Sequence, residues 1–257
     1  MQYNGNMDER VIQQLFDLNS KFYQTFAVHF AQTRQRIQLG VRKILASLPN
    51  EGKWLDVGCG NGNLALAWIK SRRKGLFVGV DGTSYFITAA RQSVQGLTLR
   101  AEQVVQFEIL DFRNPDWHIH VPSVQWDGVF CFATLHHIPS FEHRLQCMQQ
   151  IRHLIKKGSV LYISNWQLQN SPKLVKRMQA WDALGLSENM LEKNDCLMDW
   201  RSSDAEGKAI TGLRYVHIIE EKEMVQMAAK AGFRIEGSFY SDGKNNQLSL
   251  YHVMRGN

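Results

Sequence analysis

Three glycines at alternate positions follow an acidic residue and could bring a ligand against the backbone. Asp56 lies near the end of an apolar strand, and the chain continues with Gly58, Gly60 and Gly62. Glycine lets the backbone turn sharply and approach a ligand where a Cβ would clash. The helical pattern over residues 63–70 would place a helix N-terminus behind the turn. The spacing D-x-G-x-G-x-G is not the dinucleotide fingerprint G-x-G-x-x-G, and it indicates either another kind of nucleotide-binding turn or a plain tight turn.

The next two apolar strands also end in acidic residues. Asp81 comes about 20 residues after the glycine turn, where a carboxylate meets ribose hydroxyls in nucleotide-binding α/β units. Asp111 and Phe112 end the third strand. Ligands of open α/β sheets bind at the carboxyl ends of strands, so these acids and Asp56 predict one shared site. For Asp81, a cap of the helix that starts near Ser84 is the alternative, and it does not exclude a ligand role.

Adjacent histidines follow the fourth apolar strand, residues 126–132. His136 and His137 lie on a loop, where neighbouring side chains diverge, and no Cys or carboxylate lies at ligand spacing. The pair therefore does not predict a metal site, and we expect none. One histidine can pack beneath the ligand while the other caps the helix that begins at Phe141.

Length and composition indicate a single domain, residues 1–257, with 44% apolar residues. We expect N-terminal helices over 1–50, a core over 51–165, a polar insertion over 166–212, and a helix with a hairpin over 213–257. The four cysteines show no C-x-x-C spacing and indicate reduced thiols. The polar N-terminus and the absence of a long apolar run predict a soluble, cytoplasmic protein without a membrane span.

The segment Asp56–Gly62 resembles the first motif of the class I S-adenosylmethionine-dependent methyltransferases. The resemblance implies a Rossmann-like α/β fold with a seven-stranded sheet, S-adenosyl-L-methionine as cofactor, and Asp111 and Phe112 on the adenine. It also implies that residues 22–34 cross the cofactor as a lid, with Tyr23 at the methionine end.

Narrower motifs are similar to those of the eukaryotic tRNA wobble-uridine (5-carboxymethyluridine) carboxyl methyltransferases, including the domain fused to an AlkB-type tRNA hydroxylase. They span most of the chain in order: His29–Arg34, Asp56–Gly62, Leu135–His137, Trp166, Asp195–Trp200, Arg214–His217 and Asp242–Asn246. The chain departs from the usual pattern at Asn63-Leu64, Asp81–Thr83 and Asn246-Gln247.

This likeness implies methyl transfer to a carboxylate, which is a nucleophile at neutral pH and needs no general base. Planar arginine forks suit a carboxylate or phosphate, so the expected acceptor clamp is Arg34, Arg214, Tyr215 and His217, with Asp242 in the matching hairpin loop. If the acceptor were an amine or a phenol, His136 or His137 would be a candidate base.

Two other functions stay open beside tRNA methylation: a methyltransferase of a small metabolite, and a cofactor-binding protein without catalysis. The formal charge of +6 permits a polyanionic partner, and basic residues cluster at 34–36, 42–43, 70–74, 156–157 and 173–177. Ordinary solvated helix faces would explain these clusters as well. The resemblance implies tRNA as partner and a small zinc-ribbon activator protein.

Overall fold

The computed structural model of the chain describes residues 7–33, 36–203, 207 and 209–257. The strands of this part are β1 (Glu51–Val57), β2 (Lys74–Asp81), β3 (Gln103–Ile109), β4 (Trp126–Phe132), β5 (Ile155–Trp166), β6 (Met178–Gln179), β7 (Asp195–Ser203), β8 (Ala209–His217), β9 (Phe233–Ser241) and β10 (Ser249–Gly256). The α-helices are α1 (Glu9–Thr33), α2 (Leu39–Ser47), α3 (Asn63–Lys70), α4 (Ser84–Gln95), α5 (Phe141–Leu154), α6 (Pro172–Val175) and α7 (Glu221–Lys230).

Seven strands form the main sheet in the order β3-β2-β1-β4-β5-β10-β9. Strand β10 runs antiparallel to both of its neighbours, and the other adjacent pairs are parallel. The predicted seven-stranded α/β fold is therefore confirmed. The chain reverses its direction of travel across the sheet between β1 and β4, and open α/β sheets bind ligands at the carboxyl ends of the strands at such a point.

Helices cover both faces of the sheet, which explains why its central strands are continuous apolar runs. On one face Trp54 and Phe77 pack with Trp68 of α3. On the other face Val129 packs with Met148 of α5 and with residues of α7. These buried layers hold the strand ends, and hence the loops that follow them, in fixed positions.

The predicted polar insertion contains a second sheet, which we did not expect from its sequence. Strands β6, β7 and β8 form an antiparallel sheet, and β8 crosses the predicted segment boundary between residues 212 and 213. The strands contain charged residues, which make their sequence look polar. Within the fold these residues have partners of opposite charge, so they are compatible with a sheet. Asp195 contacts His217, and Asp199 contacts Arg201. Their polarity therefore did not signify a loop.

The N-terminal segment forms one long helix where a helix and a crossing lid were predicted. Helix α1 continues through residues 22–33, and Leu15 packs with Leu197 and Tyr215 of the second sheet. Arg34, the predicted clamp residue, lies outside the described residues. The helix therefore bridges the second sheet and the main sheet, and it passes over the carboxyl ends of the central strands.

Two further observations concern membranes and thiols. Among the helices of the described residues, none has the length and apolar character needed to cross a membrane. All four cysteines are free thiols, as their spacing predicted. Burial raises the pKa of Cys147 to about 12 and that of Cys196 to about 11, so both stay protonated and unreactive at neutral pH.

Candidate active site

A cavity of about 360 Å³ opens at the carboxyl ends of β1, β2 and β4, under helix α1. Its volume falls in the range of small-molecule sites. Seven of the predicted cofactor residues line it together: Tyr23, Asp56, Gly58, Gly60, Asp81, Asp111 and Phe112. The eighth, Gly62, lies just behind the wall as the N-cap of α3.

Each of the three positions in the turn requires glycine for its own structural reason. All have positive φ, +78° at Gly58, +54° at Gly60 and +78° at Gly62, a region that glycine adopts without strain. A Cβ at Gly58 would lie 2.0 Å from Thr134 Oγ1, and one at Gly62 would lie 2.9 Å from Ala90 Cβ. A Cβ at Gly60 would meet no atom of the described residues within 4 Å. Gly60 lines the cavity, so its missing side chain leaves space for a ligand.

Two carboxyl groups lie side by side at this turn, and we call Asp56 and Asp81 the carboxylate pair. Asp81 Oδ2 accepts the backbone N–H of Gly60 (3.0 Å), and Oδ1 accepts that of Thr83 (2.8 Å). Each oxygen keeps capacity for a further hydrogen bond, as ribose hydroxyls require. Burial, and then the charge of Asp81, raise the pKa of Asp56 to about 8. The pair therefore favours a cationic ligand.

Asp111 is held by a neighbouring arginine. Arg113 Nε lies 2.9 Å from both Asp111 carboxylate oxygens, and its Nη1 donates to Asp17 of α1 (3.2 Å). Partial burial raises the pKa of Asp111, but the bonds and charge of Arg113 outweigh it, and the pKa lies below its usual value. Phe112 packs edge-on against Trp117. The predicted adenine contact would have to share Asp111 with Arg113.

The far end of the cavity carries a directed chain of hydrogen bonds. His137 Nδ1 lies 3.1 Å from the Tyr215 carbonyl oxygen, which can only accept, so Nδ1 carries the proton. In the neutral imidazole, His137 Nε2 then accepts from the Tyr23 hydroxyl at 2.8 Å. Arg214 donates to the same hydroxyl at 3.4 Å. Both His137 nitrogens are thus engaged, and a positive charge lies directly behind Tyr23.

Aromatic rings hold Arg214, the arginine of this hydrogen-bond chain, in place. The Arg214 guanidinium lies 4.7 Å from the Trp166 ring centre and 5.3 Å from that of Phe22. Trp166 also lines the cavity, and its backbone N–H donates to Nδ1 of His136, which is fully buried. The structure places His136 beneath His137 and does not bring it to the cavity. The predicted helix cap from a histidine is also wrong, because Ser140 Oγ caps α5.

The side chains of Tyr215 and His217 do not reach the cavity, contrary to the predicted acceptor clamp. They join a buried cluster that we call the ion-pair hub: Arg144, Glu192, Asp195, His217 and Glu223. Arg144 Nη2 lies 2.5 Å from Glu192 and 2.9 Å from Glu223. His217 contacts Asp195 (2.6 Å) and Glu223 (2.9 Å), and the Tyr215 hydroxyl donates to Asp195 (2.7 Å).

The hub raises the pKa of its histidine. Burial and Arg144 act to lower the pKa of His217, but its hydrogen bonds to Asp195 and Glu223 outweigh them and raise it. Glu192, Asp195 and His217 have the spacing of metal ligands. The Arg144 guanidinium already supplies a cation among them, so the cluster is satisfied as an ion-pair network.

Asp242 also has a place different from the predicted one. Its carboxylate accepts the backbone N–H of Gly40 in the first turn of α2 (3.0 Å) and the Tyr251 hydroxyl (2.7 Å). A carboxylate at a helix N-terminus is stabilising. Asp242 therefore positions α2, whose preceding residues Ile37 and Gln38 line the cavity, and does not itself line it.

One polar residue of the apolar helix face contributes to the site beside the predicted ones. Asn19 lies one helical turn after Leu15 on the apolar face of α1, where a polar residue is unexpected. Its amide donates to the carbonyls of His137 (3.0 Å) and Tyr215 (3.1 Å), and it accepts the Tyr215 N–H (2.8 Å). Asn19 thus ties α1, the loop after β4 and β8 together beside the cavity.

The comparisons with known proteins agree with this geometry. A family model described as "Methyltransferase domain" matches residues 55–161. A SAM-dependent methyltransferase from Methanosarcina mazei has a similar structure, with a TM-score of 0.61 at 19% identity, covering 83% of this chain and 96% of that one. Magnesium protoporphyrin IX methyltransferase from Synechocystis with bound SAH gives a TM-score of 0.59 at 18% identity, covering 97% and 100%.

Among curated proteins, the chain is similar to the tRNA (carboxymethyluridine(34)-5-O)-methyltransferase of Schizosaccharomyces pombe. The two are 30% identical over 148 residues, 57% of this chain and 56% of the relative. The tRNA (carboxymethyluridine(34)-5-O)-methyltransferase alkbh8 of Xenopus tropicalis is 26% identical over 60% of this chain, and the match spans 22% of that relative. The chain thus matches only part of each relative's length.

Fold, glycine turn and family model together assign the class of this protein. The chain has the fold of the class I S-adenosylmethionine-dependent methyltransferases, and its residues 55–161 match the methyltransferase-domain model. Its cofactor is S-adenosyl-L-methionine. The residues present fit this cofactor, because the cavity wall is open at Gly60 and the carboxylate pair suits the positive charges of a sulfonium and an amine.

Proposed function

We propose that the chain methylates a carboxylate on a modified wobble uridine of tRNA, in the cytoplasm. The names of the fission yeast and frog relatives support this acceptor. The observation that carries the proposal is the hydrogen-bond chain from Arg214 through Tyr23 to His137. It places the positive charge of Arg214 directly behind Tyr23 and beside His137, which line one end of the cavity, and this charge suits an anionic acceptor.

The orientation of His137 favours an acceptor that needs no general base. Its Nδ1 donates to a backbone carbonyl and its Nε2 accepts from Tyr23. A hydroxyl or amine acceptor would have to lose a proton to such a group during the reaction. A carboxylate is already ionised at neutral pH, since its ordinary pKa is near 4. The protein then has to orient and desolvate it.

The two ends of the cavity would have separate tasks. When bound, S-adenosylmethionine supplies a methyl group that its positive sulfur makes electrophilic. Asp81 would hold the ribose end, while the positive charge of Arg214, behind Tyr23, would attract the acceptor carboxylate and orient it. Arg34 lies outside the described residues, and its predicted contact with the acceptor stays part of the proposal.

The proposal is tested with two tRNAs that differ in one group. One carries 5-carboxymethyluridine at the wobble position, and the other has uridine there. We expect label from tritiated-methyl S-adenosylmethionine to enter only the first tRNA. Mild alkali should then release it as methanol, because an ester hydrolyses whereas an ether or a methylated amine does not.

Other outcomes would contradict the proposal. Label that resists alkali would mean a different acceptor atom, and equal labelling of both tRNAs would mean a different position. Turnover of small carboxylic acids without any transfer to tRNA would favour a metabolite methyltransferase and would leave the fold and the cofactor unchanged.

The requirement for an activator is a separate part of the proposal. We propose that a small zinc-ribbon protein assists this chain. Co-purification of such a protein with the tagged chain, together with a higher transfer rate in its presence, would support the proposal. Full transfer by the isolated chain, unchanged on adding the protein, would contradict it.

A further inference from the structure

A second groove leads away from the cavity along the surface between α2 and α3. It has a volume of about 450 Å³. Arg36, Ile37 and Asn63 line both the groove and the cavity, so the two are continuous. The groove extends from this junction to Lys70 at the end of α3, a helix of about 12 Å at 1.5 Å per residue.

The groove is positively charged along its length. Arg36, Arg42, Lys70 and Arg73 line it, and its described lining contains no Asp or Glu. Arg42 and Lys70 are exposed to solvent. A surface of this kind concentrates anions, and several cations in a row suit a chain of negative charges better than a single one.

The floor of the groove is a buried arginine with a fixed position. Arg73 is 8% exposed, and its Nη2 donates to the backbone carbonyls of Leu45 (2.6 Å) and Leu48 (3.2 Å) at the end of α2. Its buried Nε–H has no hydrogen-bond partner within the described part of the chain. The guanidinium therefore joins α2 to the start of β2 and adds a charge beneath the exposed cations.

We infer that this groove binds the phosphate backbone of RNA on one side of the nucleotide that enters the cavity. The inference rests on the proposed function. A nucleotide in the cavity must have its chain leave through an opening, and the junction at Arg36 leads directly to the row of cations. A small metabolite would fit the cavity alone and would have no use for the groove.

This location changes the contacts predicted from the basic clusters. Of residues 70–74, the groove contains Lys70 and Arg73, whereas Lys74 pairs with Glu102. The cluster at 156–157 begins β5, at the opposite edge of the sheet from the cavity. Arg42, from a separate cluster, lies on the groove. We therefore expect a basic residue to contact the RNA backbone when it lies near the cavity, whether or not it belongs to a cluster in the sequence.

The test compares two double variants that lose the same charge. Arg42→Ala/Lys70→Ala removes two exposed groove cations that do not line the cavity. Lys222→Ala/Lys230→Ala removes two exposed cations of α7, on the other face of the sheet. Affinity for the carboxymethylated tRNA is measured against salt concentration, and S-adenosylmethionine affinity shows that each variant is intact.

We expect the groove variant to make the negative slope of log affinity against log salt shallower by about 1.4, or about 0.7 per lost contact with single-stranded RNA. The α7 variant should keep the wild-type slope. Equal slopes for both variants would overturn the inference. So would a groove variant that binds tRNA normally but loses binding of polyglutamate, since the partner would then be an acidic protein.

Failure of this inference can be told apart from failure of the proposed function. Methyl transfer to carboxymethylated tRNA by the wild type, with an unchanged slope in the groove variant, would exclude the groove and keep the function. A lowered slope without any methyl transfer by the wild type would keep the groove as an RNA site and contradict the proposed reaction.

Discussion

Two buried polar centres of this protein contrast in how their charges are balanced. In the carboxylate pair, burial and the charge of Asp81 raise the pKa of Asp56, and among the described side chains no Lys or Arg forms a salt bridge with either residue. In the ion-pair hub, the Arg144 guanidinium contacts Glu192 and Glu223. The carboxylate pair faces the cavity and has no basic partner among the described side chains. The ion-pair hub lies inside the protein, and its acidic side chains have basic partners.

The contrast separates groups that await a ligand from groups that hold the fold. A buried carboxylate without a cation is unfavourable, and a cationic ligand would relieve that cost. A matched network gains nothing from a ligand but connects the elements that supply its members. The hub joins α5, α7 and the second sheet, and Tyr215 of that sheet holds His137 in place. The next four predictions follow from this contrast.

The largest effect should come from a substitution in the carboxylate pair, and it concerns the affinity for the cofactor. Asp81→Ala deletes two expected hydrogen bonds to ribose at about 1.5–3 kcal/mol each, so S-adenosylmethionine affinity should fall about a hundredfold or more. Calorimetry measures it. Asp127→Ala, which removes a carboxylate that also accepts a backbone N–H but lies at the start of β4, should leave affinity unchanged. Unchanged affinity in folded Asp81→Ala would refute the cofactor assignment.

Breaking the hub should affect folding and spare the cofactor. Arg144→Met leaves Glu192 and Glu223 without their shared cation, and removal of one partner of a buried ion pair costs about 3–5 kcal/mol. Urea unfolding gives the change in the free energy of unfolding. The exposed pair of Arg234 is the control, since Arg234→Met should cost less than about 1 kcal/mol. A similar small cost for both variants would show that the hub is not a stabilising centre.

A smaller effect is expected on the acceptor side. Arg214→Ala removes a charged hydrogen-bond donor, worth about 1.5–3 kcal/mol, so methyl transfer should fall about tenfold to a hundredfold while S-adenosylmethionine still binds. Arg201→Ala, an exposed arginine on the adjacent strand β7, should change the rate little. Loss of cofactor affinity equal to the loss of rate would place Arg214 in the cofactor site instead.

The smallest effect concerns a single proton. The pKa of Asp56 is raised to about 8, so the carboxyl is mostly protonated at pH 7 in the free protein. A bound cation favours the ionised form and lowers that pKa, so binding should release close to one proton at pH 7. Calorimetry in buffers of different ionisation enthalpy counts the protons released on binding. Asp56→Asn should abolish this release. Proton uptake on binding would contradict the role of the pair.

The cofactor half of the site could be predicted from sequence because its parts are local. Asp56, Asp81 and Asp111 each lie at or near the end of an apolar strand, and parallel strands bring such ends to one edge of a sheet. The glycine turn likewise depends on residues next to one another in the chain. A pattern of neighbours suffices to place these groups.

The acceptor half depends on contacts between distant segments, which no local pattern contains. His217 was expected at the acceptor, but its partners come from Asp195 on the paired strand and Glu223 on α7. Arg144, at the centre of the hub, looks in sequence like an ordinary polar residue of α5. Asn19 was the exception, since its position on an apolar helix face indicated a buried contact.

The central claim is that this site methylates a carboxylate without a general base. The direct measurement is the pH dependence of single-turnover methyl transfer to carboxymethylated tRNA at saturating S-adenosylmethionine. A carboxylate acceptor with an ordinary pKa near 4 predicts a rate that changes less than about twofold between pH 6 and 8.5. A rate that rises about tenfold per pH unit and levels off near the pKa of a histidine would show that a base takes part, and would contradict the claim.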